Sequence, residues 1–360
     1  MKKKGIIIVV IGILVVILLL IGLYFYGLTS VSSTSEKVTF NIKHNTSTKQ
    51  VLNDLYKAKL IKSKISSMIY IKLNSNIMVK AGAYELDRSY STKEIFEILS
   101  GGYVINDTIT VTFIEGKRLT DYISVISEKF GYNEKEILNV INDDDYLKEL
   151  INKYKYLDEN ILNSDIYYPL EGYLFPASYE FYKDASIKTI IEKMLDKTGN
   201  VLDNYSTSLK DSSYNIHEIL TIASIIENES VGKEADINYC QNNQNDKYID
   251  RHVVSQVIYK RLDTNMSLGM DVTTYYGVQK ALSEELTKSD LNDNNAYNTR
   301  PTSFKGLPVG PISNPSEASI KAALNPSDTN CVYFYADIKT GELHFAKTYK
   351  EFQNLIQKYS

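Results

Sequence analysis

From Gly5 to Gly27 the chain reads GIIIVVIGILVVILLLIGLYFYG without a single charged residue. That is longer than the ~20 helical residues needed to cross a bilayer core. Inside lipid the backbone amides find no water, so a helix that satisfies them internally is the conformation left to such a run. The apolar stretch also exceeds a signal-peptide core, and no small-residue cleavage site follows it, so it reads as a retained anchor over 5–27. Lys2, Lys3 and Lys4 precede it. The positive-inside bias keeps this 1–4 tail in the cytoplasm and puts everything after about Leu28 outside the cell membrane. Tyr24 and Tyr26 suit the interfacial aromatic belt.

That topology restricts the chemistry, because the outer face of a membrane offers no ready supply of nucleotide cofactors. The sequence has no P-loop, no GxGxxG after a strand and no HExxH. His44, His217, His252 and His344 are scattered without ligand spacing, and no GxSxG elbow supports a serine nucleophile. We therefore expect no metal and no cofactor. Lys and Arg number 40 against 44 Asp and Glu, so no bulk positive field exists to hold nucleic acid. Cys240 and Cys331 are too few for a disulfide scaffold or zinc cluster, and whether they pair stays open. With 43% hydrophobic and 23% charged residues, the 360-residue chain has the composition of about two packed domains.

Residues 28–36 contain a polar spacer, VSSTSE, expected to be a flexible tether. The alternation in KVTFNI predicts a strand from Lys37, and Asn45 to Ser47 supply caps for a helix through Val51, Leu52, Leu55 and Tyr56. A second strand is expected over Lys80–Leu86, then a helix opened by Ser91, Thr92 and Glu94 and stopped at Gly101-Gly102. This 37–105 segment reads as a small α/β module with a binding or spacing role. The remainder, 106–360, begins with a strand over Thr108–Ile114, a Glu115-Gly116 turn and a helix from about Thr120. Residues 131–165 read as charged and helical, and Tyr168–Tyr182 as a dense aromatic loop whose rings either pack or stack on sugars.

The most informative stretch is Asn215–Ser230, NIHEILTIASIIENES. Its apolar residues cover nearly the whole circumference of a helix, so the element should be buried. Glu227 and Glu229 end it, pointing to nearly opposite faces at 100° per residue, a poor arrangement for a facing carboxylate pair. A glutamate at the edge of an apolar element would have its pKa raised by desolvation towards that of a general acid. The alternative reading is that both are solvated carboxylates at a fraying helix end; periodicity does not choose between the two glutamates.

LEGYLFPASYEF (170–181), TIASIIENES (221–230), VSQVIYKRL (254–262), AYNTRPTSFKGLPVGPISNPSEASIKAALNPS (296–327) and YFYADIKTGELHFAKTYKEF (333–352) follow one another in order. Together they resemble the endolytic murein transglycosylases, the MltG or YceG-like family, over essentially the whole chain after the anchor. The resemblance implies an α+β architecture: a transmembrane helix, a LysM-like module and a larger mixed α/β catalytic domain of YceG-like type. It implies a lyase, a peptidoglycan lytic transglycosylase that cuts nascent glycan strands internally and without water, leaving 1,6-anhydro-MurNAc ends. Glycan strands, the membrane and peptidoglycan synthases are the expected partners.

In the family's Ile-Glu-x-Glu-Ser/Thr motif the second glutamate is catalytic, which falls on Glu229. It would protonate the oxygen between N-acetylmuramic acid and N-acetylglucosamine, then take the proton of the C6 hydroxyl as that oxygen closes on C1. Intramolecular attack needs no second carboxylate to hold a water. Asp271, Tyr276, Tyr297 and Asn298 fall on polar or aromatic members of cleft motifs, and Glu227 stands as a lesser substrate-binding candidate. Glu171 is expected to be structural. Gly306-Leu307-Pro308 and Gly310-Pro311-Ile312 read as rigid loop-shaping elements. The chain departs from the family in a polar insertion, CQNNQNDKYIDR (240–251), and in Gly269 and Val272 where Gln and Pro are frequent. A non-catalytic glycan-binding scaffold and a muramidase-type hydrolase are the competing readings.

Overall fold

The structure is a computed structural model that describes residues 2–43, 46–74, 77–101, 108–242, 247–337 and 339–360. His44, Asn45, Gly102, the boundary expected at 105/106 and part of the 240–251 insertion lie outside the described residues. The chain is a mixed α+β protein divided into two compact units.

The first unit holds residues 1–109 with 180–184. Helix α1 (Lys2–Leu28) carries the apolar run; from Ile11 to Leu28 its mean hydropathy is 2.7 and almost none of it is covered by protein. Strand β1 (Lys37–Ile42) is followed by α2 (Thr48–Lys57), α3 (Lys64–Leu73), β2 (Gly82–Asp87) and α4 (Thr92–Gly101). β1 and β2 pair antiparallel, from Lys37 opposite Asp87 to Ile42 opposite Gly82. Phe40, Ile42, Val51, Leu52, Leu55, Tyr84, Leu86, Phe96 and Leu99 fill one core between this ribbon and the helices. Ser47 caps α2 by accepting the Gln50 amide, and Ser91 with Glu94 closes the start of α4.

Helix α3 is absent from the expectation, and its residues show why. KISSMIYIKL shows no single apolar face: Ser66 and Ser67 are buried beside Met68, Tyr70 and Ile71, which pack on the core, whereas Ile65, Ile69 and Leu73 face outward.

The second unit holds 110–179 and 185–360. Its elements begin with β3 (Thr108–Thr112), α5 (Leu119–Phe130), α6 (Glu134–Ile141), α7 (Asp144–Lys153), a 3-10 turn at Glu159–Leu162 and β4 (Ser178–Tyr182). The stretch read as an aromatic loop through Tyr182 therefore ends as a strand: SYEFY alternates, and β4 joins β3 in a two-stranded sheet. Tyr173, Leu174 and Tyr179 are buried, so packing claims these side chains. Then follow α8 (Ile187–Asp203), α9 (Ser206–Asp211), α10 (Ile216–Glu229), α11 (Asp250–Asp263), α12 (Asp271–Gly277), α13 (Lys288–Leu291), α14 (Glu317–Leu324), the antiparallel pair β5 (Tyr333–Ala336) and β6 (Leu343–Ala346), and α15 (Tyr349–Tyr359).

Helix α10 is the axis of this unit, packed by α11 and α14, with every residue from Ile219 to Ile226 buried. Cys240 and Cys331 are bonded, their Cα atoms 5.0 Å apart across 91 residues. The bridge pins the start of the polar insertion two residues before β5, rather than within the strand.

Candidate active site

Asn215 starts α10 with reciprocal bonds: its side chain accepts the Glu218 amide while the Glu218 carboxylate accepts the Asn215 amide. Twelve and fourteen residues later the helix delivers its two glutamates to different environments. The Glu227 carboxylate accepts from the Ser316 amide at 3.0 Å and from the Ser316 and Ser319 hydroxyls at 2.5 and 2.6 Å. Ser316 is the N-cap of α14, so the charge also sits at that helix's positive end. Arg251 stands 3.7 Å away, and the Glu227 side chain is only 6% exposed. The picture of two solvated carboxylates at a frayed end is therefore wrong for Glu227.

Glu229 lacks such a cradle. Its carboxyl lies by the start of α12, where the Val272 amide faces it, with Asp271, Arg261 and Arg300 around. Burial, reinforced by the Asp271 charge, raises its pKa to about 7, against the lowering effect of the two arginines. The residue nevertheless keeps partial solvent exposure.

Of the positions singled out, the structure brings Asp271 to Glu229; Asp271 is about half exposed and pairs with Arg300 at 2.7 Å. Tyr276, Tyr297 and Asn298 are buried. The Tyr276 hydroxyl donates to Glu171 at 3.1 Å, its ring meets Tyr297 edge-on at 4.7 Å, and Arg118 lies over it at 5.2 Å. Asn298 accepts from the Thr274 hydroxyl at 2.7 Å and donates to the Asp293 carbonyl at 2.7 Å. These three side chains support α12 from within the protein.

Glu171, also buried, accepts the Leu119 amide at 2.9 Å and the Asn314 side-chain amide at 3.3 Å besides Tyr276. Burial pushes its pKa up to about 8 although the Leu119 and Tyr276 hydrogen bonds favour the charged form. Beside it Gly172 has φ +82°, and a Cβ there would lie 2.4 Å from Pro311 Cβ. Gly172→Ala should therefore cost about 2–4 kcal/mol, read as a lower urea midpoint.

Sequence reasoning overlooked Arg261 and Arg300. Arg261 donates to the Val332 carbonyl at 2.9 Å and to the Leu268 carbonyl, and burial holds its pKa below the usual arginine value. The only local signal was the Lys260-Arg261 pair closing the VSQVIYKRL helix, which does not tell a buried arginine from a solvated one. The glycine-proline segments do shape a loop: Ile312 N–H bonds the Ser224 hydroxyl at 3.0 Å, and Gly310 leaves room for His217. Among the described residues no group of three or more His, Cys, Asp and Glu is placed to hold a metal ion.

The model of the YceG-like family matches residues 40–358. The chain belongs to the YceG-like family. A yceG-like protein of Listeria monocytogenes, known from a crystal structure, is 30% identical with a TM-score of 0.61, covering 89% of this YceG-like chain and 100% of its own. A relative from Bacillus subtilis named endolytic murein transglycosylase is 31% identical over 94% of this chain and 90% of its own length. One of the same name from Streptococcus pneumoniae is 26% identical over 92% of this chain and 60% of its own.

Proposed function

We propose that this chain is a membrane-anchored endolytic peptidoglycan lytic transglycosylase, a lyase that cuts the MurNAc-GlcNAc bond of nascent strands and leaves 1,6-anhydro-MurNAc ends. The observation that carries the reading is the Glu229 carboxyl, enclosed beside Asp271, Arg261 and Arg300 and with a pKa raised to about 7. Near neutral pH such a group is present in both forms, so it can give a proton to the bridging oxygen and then remove one from the C6 hydroxyl. Glu227 is engaged by Ser316, Ser319 and Arg251, which leaves Glu229 as the acid and base. Asp271 binds sugar or stabilises the positive charge developing at C1, and Tyr276, Tyr297 and Asn298 hold α12 for it.

The helix α1 anchors the protein once, with the Lys2–Lys4 tail in the cytoplasm and the rest outside. The Cys240–Cys331 bond supports that side, since disulfides persist in oxidising compartments. The separately cored segment 37–105 serves as the LysM-like module and 106–360 as the catalytic domain, acting in wall assembly and strand termination beside peptidoglycan synthases. Asp271, close enough to raise the Glu229 pKa, is the feature a water-using hydrolase would exploit. Mass spectrometry of products from uncross-linked strands separates the two. Ends lighter by one water are expected, and reducing ends would sink the lyase reading.

A further inference from the structure

Outside the active site, the first unit carries an unusual surface. Between residues 43 and 80 stand eight lysines and one acid, Asp54, in a chain whose formal charge is −4. Within that segment Ile65, Ile69, Leu73 and Met78 are 75%, 41%, 72% and 73% exposed. Ile65, Ile69 and Leu73 lie four residues apart on α3, so they form one stripe along the helix. At 100° per residue that stripe begins beside Ser66, which is buried.

Ser66 faces the last turn of α1. A Cβ on Gly27 would come within 2.2 Å of its hydroxyl, so the glycine permits the two helices to touch. Lys62 sits 4.6 Å over the Tyr26 ring and bonds the Thr29 hydroxyl at 2.8 Å. The apolar stripe is thus continuous with the point where the apolar run of α1 ends. Lys57, Lys59, Lys64, Lys72 and Lys80 are exposed around it.

We infer that α3 is an interfacial helix, with Ile65, Ile69, Leu73 and Met78 seated in the outer leaflet and the surrounding lysines on anionic lipid headgroups. The inference rests on α1 being the membrane anchor. Apolar side chains on one face with lysines beside them are what binds a helix flat at a bilayer surface. Such docking would hold the first unit against the membrane instead of leaving it to swing on its tether.

The chain contains no tryptophan, which makes the test clean. Full-length Leu18→Trp, Ile69→Trp and Leu73→Trp proteins are reconstituted in phosphatidylglycerol-phosphatidylcholine vesicles with and without bromine on the acyl chains. Bromine should quench Leu18→Trp strongly and Ile69→Trp and Leu73→Trp about twofold. Changing Lys57, Lys59, Lys64 and Lys72 together to Glu should abolish the quenching at 69 and 73 only. Unquenched emission at 69 and 73 beside a quenched Leu18→Trp overturns the docking and leaves the anchor standing. No quenching at Leu18→Trp sinks the anchor itself. Burial of the two reporters only after adding glycan strands would overturn the proposal in favour of a glycan surface.

Discussion

Glu229→Gln is expected to reduce strand cleavage by about 10³-fold while the protein stays folded. Gln keeps the shape and a hydrogen-bonding amide but can neither donate an acidic proton nor accept one. The sign of its effect on stability is equally specific. The Glu229 pKa is raised from 4.5 to about 7, chiefly by burial, so the folded protein holds the proton more tightly than the unfolded chain. The favourable contribution is fully present below pH 4.5 and is lost as pH rises from 4.5 through 7. Above that range the parent carries an ionised, enclosed carboxylate, and Gln should stabilise it by about 1–3 kcal/mol in urea unfolding at pH 8. In the parent, cleavage should fall above pH 7 as the acid is lost. A Gln variant with full activity at pH 7 would remove Glu229 from the mechanism.

Glu227→Ala should do the opposite. Its carboxylate gathers three donors and faces Arg251, all from residues distant in sequence and poorly exposed. Truncation strands these donors and the guanidinium, and breaking a buried charged network of this kind costs about 3–5 kcal/mol. The loss should appear as a lower unfolding midpoint that Glu227→Gln partly restores, because the amide oxygen still accepts. Cleavage per folded molecule should fall far less than in Glu229→Gln. If Glu227→Ala proved as stable as the parent and inactive, the roles given to the two glutamates would be reversed.

Much of α10 was legible because its determinants are local. Asn215 and Glu218 form the start, and an apolar circumference from Ile219 to Ile226 demands burial wherever the helix lies. The first unit was legible for the same reason except at α3, where Ser66 and Ser67 are buried beside Met68 and Ile71 while Ile65, Ile69 and Leu73 face out. There apolarity alone does not tell the core-facing side from the exposed one, and the interfacial role proposed for that helix supplies a physical reason. Tyr276, Tyr297 and Asn298 show a second limit. Polar and aromatic residues near a site look alike in sequence whether they line a cleft or hold its wall from behind.

The sequence by itself determined the anchor-length helix, the buried helix ending in two glutamates, and the family, since each depends on local pattern or on motifs in order. Only the tertiary structure decided which of those glutamates sits in a cradle of serine donors and which lies buried among charges with a raised pKa. The partners of Glu227 come from 89 and 92 residues downstream, and the arginines and the aspartate around Glu229 from other segments. A pKa reports the charges and solvent around a group in space, and two positions on one helix turn carry no record of that in their spacing.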